Sequence, residues 1–552
     1  MKNTVKRLWT YMEGWRGLVF ALCAILPLAA SAFAAENSVL FFGRWFFIIS
    51  IACLAVCPLV LRRLRRLDAG RIAPLSEPGS RREKLKCGAI FFLAAFGLFF
   101  VKYIIYYPAA FSPDSIDQYG QALTNQYNDW NPVIHTLIAF RLPLTLTGGW
   151  TGSIILFQIA AFSLVVAYLA LTLKTYAGNK YAFFSLAFIM LNPQTTNMAL
   201  YPWKDVSFAM GAVMLGVFTL KIYLTRGEWL RKPLNIILLG LMLGLISLIR
   251  HNAVLFTLPL LLVVLLFAGF KRTAAAALCF VITVFAVKVP LYSCFDVTSP
   301  GRRQVEMLGL PMTVIGAAVT YSPERLDEET LDFAYAVAPR EVWEEHFADS
   351  DVAVSYLPKN LDVGQLIPAY GDFDNVKWNN LTNLDVIEEY GPFKVIKLAL
   401  NCIKRAPIAS LKGLIKLTEP VYTLSGDHIY MAVPRLNSNS YGVTPGGIPA
   451  LQKLNILVSA GFNLIFPHLF LYTGVMQLAL IGLALARLDF KRKSGLKRLC
   501  VLLPLFCHNF GTMLLLTTAG DSSRFFYCTF PLMPVLALIL LKDADERKVP
   551  DA

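Results

Sequence analysis

The chain has 552 residues, of which 56% are hydrophobic and only 16% are charged. Soluble proteins carry about 25% charged residues, so soluble globular, disordered and collagen-like classes are excluded. The 51 Lys and Arg residues outnumber the 36 Asp and Glu residues, which gives a net charge of +15. A polytopic membrane protein is the class that fits, if the apolar residues come in long runs.

Such runs recur along most of the chain. A helix needs about 20 apolar residues to cross a hydrocarbon layer roughly 30 Å thick. We predict twelve spans, at 17–36, 40–61, 87–107, 151–173, 181–199, 204–224, 234–249, 253–270, 273–293, 455–486, 499–517 and 525–542. Short basic loops such as 61–67 and 491–493 then share one side, which the positive-inside rule makes cytoplasmic. We therefore expect a multi-pass plasma-membrane protein with both termini in the cytoplasm and no nucleic-acid partner.

The spans divide the predicted all-α chain into four parts. Residues 1–86 hold two spans and a basic cytoplasmic loop, and the sequence leaves open whether the first span is cleaved as a signal peptide. Residues 87–293 form the membrane core with a first outer loop at 108–135. Residues 294–453 are predicted to be an extracytoplasmic α-rich domain, and 454–552 hold three final spans.

The long outer segment 294–453 contains a stretch, 391–418, in which Lys and Arg alternate with aliphatic residues. This pattern predicts basic amphipathic helices, broken near Pro407, on the outer membrane surface. The alternative is a helix packed on the domain itself. A Cys294–Cys402 disulfide is possible from sequence, and Asp372-Phe-Asp374 is interpreted as a turn.

Polar residues at the outer ends of spans are the candidates for chemistry, because charge near the membrane interior is costly and usually functional. In the first outer loop, Ser112 and Pro113 predict the start of a helix that puts Asp114 and Asp117 on one face. Asp114 is either an acid that stabilises the helix N-terminus or a general base or metal ligand. Asp129 suits a tight turn.

Three cations are predicted to meet on the same face. Lys204 precedes Asp205 at the start of a span, Arg250 precedes His251 in a short turn, and Arg524 opens the last span. A lysine at a helix start can simply reach for water. Converging Arg and Lys side chains are also the usual clamp for a phosphate.

In order and sidedness, these motifs resemble those of the GT-C superfamily of integral-membrane glycosyltransferases, such as protein mannosyltransferases and aminoarabinose transferases. The resemblance covers most of residues 87–542. Its marks are Ser-Pro-Asp-Ser-Ile-Asp-Gln-Tyr (112–119), Asp-Trp-Asn-Pro-Val-Ile-His (129–135), the Lys-Asp pair (204–205) and Arg-Phe-Phe-Tyr-x-x-Phe-Pro-Leu (524–532). The chain has Asn131-Pro132 where many members have His-Pro.

The resemblance implies a polyprenyl-phosphate sugar as donor and a glycan, lipid or protein as acceptor, with membrane lipids as further partners. It implies Asp114 as the base, with Asp117 as the second candidate. Lys204, Arg250 and Arg524 would hold the donor phosphate. The remaining candidates, all for substrate binding, are Trp130, His135, Asp205 and His251. Whether a divalent metal takes part stays open, and no metal ligands are assigned.

Two other functions compete with this interpretation. One is a flippase or transporter for a lipid-linked glycan, which would place polar groups near the bilayer midplane on broken helices from internal repeats. The other is an O-antigen ligase or polymerase, which would favour Arg and His in the long outer segment over a carboxylate in the first loop.

Overall fold

The computed structural model of the chain describes residue 11 and residues 14–34, 44–73, 79–108, 110–299, 308–346, 383–424, 433–466, 469, 471–488, 497–515 and 522–542. Within these ranges the secondary structure is helical and no β-strand forms, although an isolated bridge joins Asn128 and Thr298. The predicted turn at Asp372 and Asp374 lies outside the described residues. The predicted all-α class is thus confirmed for the part of the chain that is described.

We number the α-helices of six residues or more in chain order. They are α1 Trp15–Ala34, α2 Arg44–Arg66, α3 Arg81–Ile105, α4 Pro113–Thr124, α5 Gly152–Leu191, α6 Pro193–Met198, α7 Lys204–Leu224, α8 Pro233–Ile249, α9 Val254–Ala268, α10 Phe270–Cys294, α11 Gly309–Tyr321, α12 Glu328–Val337, α13 Arg340–His346, α14 Leu384–Arg405, α15 Pro407–Tyr422, α16 Pro449–Ile465, α17 Thr473–Arg487, α18 Leu503–Leu515 and α19 Thr529–Leu541. Shorter turns include Val133–His135, the π-turn Thr136–Arg141 and Leu142–Leu146.

Seven helical stretches among the described residues are long and apolar enough to cross a membrane. They are Phe46–Arg66, Arg81–Ile105, Gly152–Leu191, Lys204–Leu224, His251–Ala268, Phe270–Cys294 and Lys497–Leu515. Other predicted spans, such as α8, α17 and α19, are apolar helices of 13 to 17 residues. The chain therefore has the architecture of a membrane protein.

Two predicted spans differ in detail. The single span at 455–486 is wrong, because α16 ends at Ile465 and α17 begins only at Thr473. The main chain at Phe466 is non-helical, with φ −128° and ψ 46°, and it ends α16. The spans at 151–173 and 181–199 are joined in α5, where Gly178 breaks the helical path with a φ of 79°.

The main apolar core lies between α3, α5, α7, α8, α9 and α19. Close helix approach depends on small residues, as at Gly240 and Gly244 on α8. A side chain on Gly240 would collide with Cys279 of α10, and one on Gly244 would collide with Thr283. A side chain on Gly211 of α7 would likewise collide with Ile246 of α8, so α7 and α8 also pack closely, and the start of α7 and the end of α8 carry the candidate site.

A second apolar core joins α11, α12, α13 and α14, with Phe333 and Trp343 fully buried at its centre. Helix α15 packs against α11 and also against α1, α17 and α18, so it connects this helical unit to the membrane helices. The unit comes from the predicted 294–453 domain. Cys294 and Cys402 are both free, so the disulfide left open by the sequence is not formed.

The predicted amphipathic stretch forms α14 and α15, and the chain breaks between them at Ala406 before Pro407, as predicted. One face of α14 packs in the second core through Val395, Leu398 and Cys402. Another face is an exposed apolar stripe made of Phe393, Ile396, Leu400 and Ile403. The helix therefore packs on its own unit, as the alternative required, and still presents apolar side chains outward.

Candidate functional site

Helix α4 carries both carboxylates of the first outer loop. Its start is as predicted, because the Ser112 hydroxyl accepts a main-chain hydrogen bond from the first turn and Pro113 is the first helical residue. Asp114 follows in the first turn and Asp117 lies one turn along. The ring nitrogen of Trp203 donates to Ser112 Oγ at 2.6 Å. This hydrogen bond fixes the start of α4 against the start of α7.

Asp114 forms ion pairs with two of the three predicted cations. Its Oδ2 atom lies 3.0 Å from Arg524 Nη2 and 4.0 Å from Lys204 Nζ. The three side chains are mostly buried, with exposures of 20%, 14% and 18% respectively. Burial alone would raise the pKa of Asp114, but Lys204 and Arg524 outweigh it and hold that pKa below its ordinary value. Asp114 is thus an ionised partner of these cations at neutral pH.

The third cation joins through Asp205. Arg250 Nη1 lies 2.6 Å from Asp205 Oδ1, and the two side chains are only 3% and 1% exposed. The other oxygen of Asp205 lies 3.9 Å from Arg524 Nε. Asp205 therefore links both arginines. We refer to Asp114, Lys204, Asp205, Arg250 and Arg524 as the ion-pair network.

Aromatic rings enclose the two guanidinium groups of this network. Arg250 lies over Phe208 and Phe525, with its central carbon 5.4 and 5.5 Å from the ring centres. Arg524 lies over Trp203 at 5.2 Å and over the same Phe525 at 4.9 Å. Such cation–π contacts hold an arginine in place while its charge is kept from water. The rings therefore fix the positions of both arginines.

Asp117 lies beside the network and has different contacts. Its Oδ2 atom accepts hydrogen bonds from Gln121 Nε2 at 2.8 Å and from Asn131 Nδ2 at 3.2 Å. Asn131 in turn accepts from Lys204 Nζ at 2.5 Å. Burial, assisted by the negative charge of Asp114, raises the pKa of Asp117 to about 6. The two carboxylates of α4 thus have pKa values shifted in opposite directions.

His135 is buried next to α4 and has neutral partners on both ring nitrogens. Gln118 Nε2 lies 2.9 Å from its Nδ1, and Ser207 Oγ lies 3.2 Å from its Nε2. With the amide donating to Nδ1, the proton of the ring sits on Nε2 and points to Ser207. Among the residues that the structure describes, no group of three or more His, Cys, Asp or Glu residues is arranged to hold a metal ion.

Two other predicted site residues, His251 and Trp130, lie near Asp129 in a neighbouring cluster at the end of α10. Asp129 accepts a hydrogen bond from the Tyr292 hydroxyl at 2.5 Å and lies 3.9 Å from Lys288 Nζ. His251 Nε2 lies 3.5 Å from the Asp129 carboxylate. Trp130 is half-buried in the following turn, where its main-chain nitrogen donates to Asn128. His251 is thus directed to the Asp129 turn.

Several residues of this region were not predicted from sequence. Asn131 was noted only for its departure from a family motif, yet it bridges Asp117 and Lys204. Phe208 and Phe525 resembled ordinary span residues. Their positions, four residues after Lys204 and one after Arg524, were the available signal. An aromatic residue at such a position next to a buried cation is a candidate for cation–π contact.

Known proteins provide no assignment for this arrangement. No protein-family model matches the sequence, and neither a curated protein nor a solved structure is detectably similar to it. The functional argument therefore depends on the ion-pair network, on Asp117 beside it and on the membrane helices that carry them.

Proposed function

We propose that this chain is an integral-membrane glycosyltransferase, with GT-C-like organisation, that transfers a sugar from a polyprenyl phosphate to a hydroxyl acceptor. The observation that supports this most is the meeting of Lys204, Arg250 and Arg524 around Asp114 of α4 and Asp205 of α7. These cations come from the starts or ends of three different membrane helices. An amphiphilic donor with one phosphate suits such a site, because its chain stays in lipid while its head group meets the cations.

Arg524 and Lys204 are the cations that contact the phosphate. Both are partly exposed, whereas Arg250 is 3% exposed and closed off by Asp205. Arg250 therefore acts through its charge and by orienting Asp205, which in turn lies near Arg524. Preorganised cations that face a leaving group stabilise the charge that develops on it without further rearrangement.

The contacts favour Asp117 over Asp114 as the general base. Asp114 forms ion pairs with two cations that lower its pKa, and a carboxylate with a low pKa is a weak base. Asp117 has a pKa raised to about 6, so it is mostly ionised at neutral pH and still a better proton acceptor. General bases work best when their pKa lies near the working pH.

The balance of charges in the site also favours Asp117 as the general base. Lys204, Arg250 and Arg524 carry three positive charges, and Asp114, Asp117 and Asp205 carry three negative ones when ionised. A bound phosphodiester adds a further negative charge, which raises the proton affinity of the nearest carboxylates. Donor binding would thus make Asp117 more basic just when a proton must be taken.

The reaction then proceeds by direct displacement. The acceptor oxygen attacks the anomeric carbon, and the bond from that carbon to the phosphate oxygen breaks with its electron pair. Asp117 takes the acceptor proton, and polyprenyl phosphate leaves with its charge held by Arg524 and Lys204. The products are the glycosylated acceptor and polyprenyl phosphate, with inversion at the anomeric carbon.

The site faces the extracytoplasmic side of the plasma membrane in this proposal, with about twelve spans and the unit of α11–α15 outside. The basic loop after α2 supports this orientation. Glu324→Cys and Arg71→Cys, both highly exposed, provide the test in a cysteine-free background. An impermeant maleimide should label position 324 in intact cells and position 71 only after lysis. The reverse result would contradict the orientation.

A transporter for a lipid-linked glycan is less well supported. Its polar groups would line a path through the bilayer. Here the charged residues of the network stand at helix ends, namely the start of α7, the residue after α8 and the turn before α19.

The decisive experiment measures release of polyprenyl phosphate from polyprenyl-phosphate sugars by the purified full-length protein in lipid. We expect release that depends on an acceptor, and a loss of about 100-fold or more in kcat/KM for Arg524→Gln. Arg487→Gln, which changes an arginine at the far end of α17, is the matched control and should leave the rate unchanged. Transbilayer movement of intact donor without bond cleavage would instead indicate a transporter.

A further inference from the structure

A second buried polar cluster lies around Lys102 in the last turn of α3. Lys102 Nζ donates to Thr196 Oγ1 at 2.7 Å and to Asn197 Oδ1 at 2.6 Å, both on α6. The two acceptors are almost fully buried, at 2% and 1% exposure, while the lysine is partly exposed. The ammonium group is therefore held at a defined position between two helices.

A third helix completes this cluster. Asn455 of α16 donates to Asn197 Oδ1 at 3.3 Å and to the Tyr106 hydroxyl at 3.0 Å. The main chain of α16 is attached nearby, since Ile448 N donates to Ile105 O at 3.1 Å. We refer to Lys102, Tyr106, Thr196, Asn197 and Asn455 as the Lys102 cluster.

Lys102 differs from the other buried cations in what surrounds its charge. Lys204, Arg250 and Arg524 each have a carboxylate within 4.0 Å. Among the residues that the structure describes, Lys102 forms no ion pair, and both its acceptors are neutral. An ammonium group has three hydrogens to donate, and a charge that is largely removed from water requires a counter-charge. An anion from outside the chain would satisfy both requirements.

A merely snorkelling lysine would look different. A lysine near a helix C-terminus is stabilised by the helix dipole and extends its charge to water. Lys102 instead extends towards α6, where two neutral side chains hold it. Helix α16, which covers the cluster, exposes large aliphatic side chains along its length, with Leu457 at 69% and Leu464 at 85%. Lipid is the natural neighbour of such a surface.

We propose that Lys102, held in position by Thr196 and Asn197, binds the phosphate of an anionic membrane lipid at the outer end of α3, separately from the ion-pair network. A phosphate oxygen would accept the third hydrogen of the Lys102 ammonium group, and the acyl chains would lie along α16. Because residues 196–204 lead from this cluster directly to Lys204, a bound lipid would also hold the start of α7 in place. The inference does not depend on the proposed transferase activity.

Full-length protein in nanodiscs provides the test. Phosphatidylcholine discs with and without phosphatidylglycerol are compared by the melting temperature of the protein and by native mass spectrometry of retained lipid. We expect phosphatidylglycerol to be retained and to raise the melting temperature of the wild type, since a ligand that binds only the folded state stabilises it. Lys102→Gln, which keeps an amide donor for Thr196 and Asn197, should weaken retention about tenfold or more. Lys102→Arg should keep most of it.

Lys453→Gln is the matched control, because Lys453 is an exposed lysine on α16, two residues before Asn455. It should retain lipid like the wild type. Equal losses for Lys453→Gln and Lys102→Gln would overturn the site, since non-specific charge attraction would explain both. So would unchanged retention in a folded Lys102→Gln protein. Protection by inorganic phosphate in phosphatidylcholine discs, equal to that by phosphatidylglycerol, would overturn the assignment to a lipid.

Discussion

The two ends of the membrane helices hold their cations in different ways. At the end where α7 begins, the three cations of the ion-pair network pair with buried carboxylates and aromatic rings. At the end where α7 finishes, Arg231 pairs with an exposed carboxylate, and five other cations donate to main-chain carbonyls at or near the C-terminal ends of helices. These donors are Arg16 to Leu488, Arg272 to Gly227, Arg487 to Leu67, Lys497 to Leu266 and Arg498 to Leu540. We call the two ends the paired end and the carbonyl end.

The difference separates structural charge from charge available for chemistry. The last carbonyls of a helix have no partner within it, so a basic side chain there satisfies them and complements the helix dipole. These five cations of the carbonyl end are thus explained by helix termination. At the paired end, the helix dipole favours Asp114 and Asp205 in the first turns of α4 and α7, but helix termination does not explain the three cations withdrawn from water beside them. Keeping buried groups charged costs free energy, so these residues are the ones to test for function.

The largest effect is expected at Asp117. Asp117→Asn keeps an oxygen that can accept from Gln121 and Asn131 but cannot take a proton. We expect turnover at saturating donor to fall by about 10²–10⁴-fold, the usual contribution of a general base. The measurement is release of polyprenyl phosphate in single-turnover assays.

Asp114→Asn is the matched variant on the same helix. It should mainly weaken donor binding, because it frees Arg524 and Lys204 from their carboxylate and disturbs their positions. A dead Asp114→Asn with an active Asp117→Asn would return the base to Asp114, the residue favoured by sequence. Two active variants would remove the carboxylate mechanism altogether.

The second prediction concerns the most deeply buried ion pair, between Asp205 and Arg250. Asp205→Asn leaves the Arg250 charge buried without its partner, which should lower the free energy of unfolding by about 3–5 kcal/mol. The check is unfolding by denaturant in mixed micelles. The double variant Asp205→Leu with Arg250→Met should recover much of this loss, since replacing a whole buried pair by apolar groups is often neutral. A loss in the double variant as large as in the single one would mean that the pair itself provides the stability.

The sequence predicted the local features of the paired end well. Helix α4, its Ser112 cap and the two carboxylates follow from residues that are close together in the chain, where capping rules apply. The break before Pro407 has the same local origin. Hydropathy alone failed at 455–486, because it counts apolar residues and does not register the non-helical main chain at Phe466 that ends α16.

Capping rules and hydropathy could not predict which residues far apart in the chain would contact one another. The pairs Asp205–Arg250 and Asp114–Arg524 join residues that are 45 and 410 positions apart. Uniformly apolar helices carry little pattern to specify which faces meet, so the register of α7 against α8 and α19 emerges only in the packed structure. The Lys102 cluster was missed for the same reason, because a lysine at the end of a span resembles a snorkelling residue.

The third prediction uses pH to separate the two carboxylates of α4. A base works only when ionised, so activity falls as the pH falls through its pKa. With Asp117 as the base, kcat/KM should decline about tenfold per unit below pH 6, following its raised pKa. The low pKa of Asp114 would instead keep the rate flat until the pH falls below the ordinary range of a carboxyl group. In Asp114→Asn the limb should remain but move to lower pH, because the negative charge that helps to raise the pKa of Asp117 is then gone.

The smallest effect on stability and turnover is expected at the carbonyl end, where the comparison predicts that a cation has a structural role only. Arg487 Nη2 donates to Leu67 O at 2.5 Å in an exposed position. Because this hydrogen bond to a main-chain carbonyl is exposed, its loss in Arg487→Gln should lower the free energy of unfolding by about 1 kcal/mol or less. Turnover and its pH profile should remain those of the wild type, while Arg524→Gln, the same change at the paired end, should abolish most activity. A strong loss of turnover in Arg487→Gln would mean that the cations of the carbonyl end also serve the reaction. The division between structural and chemical charge would then have to be abandoned.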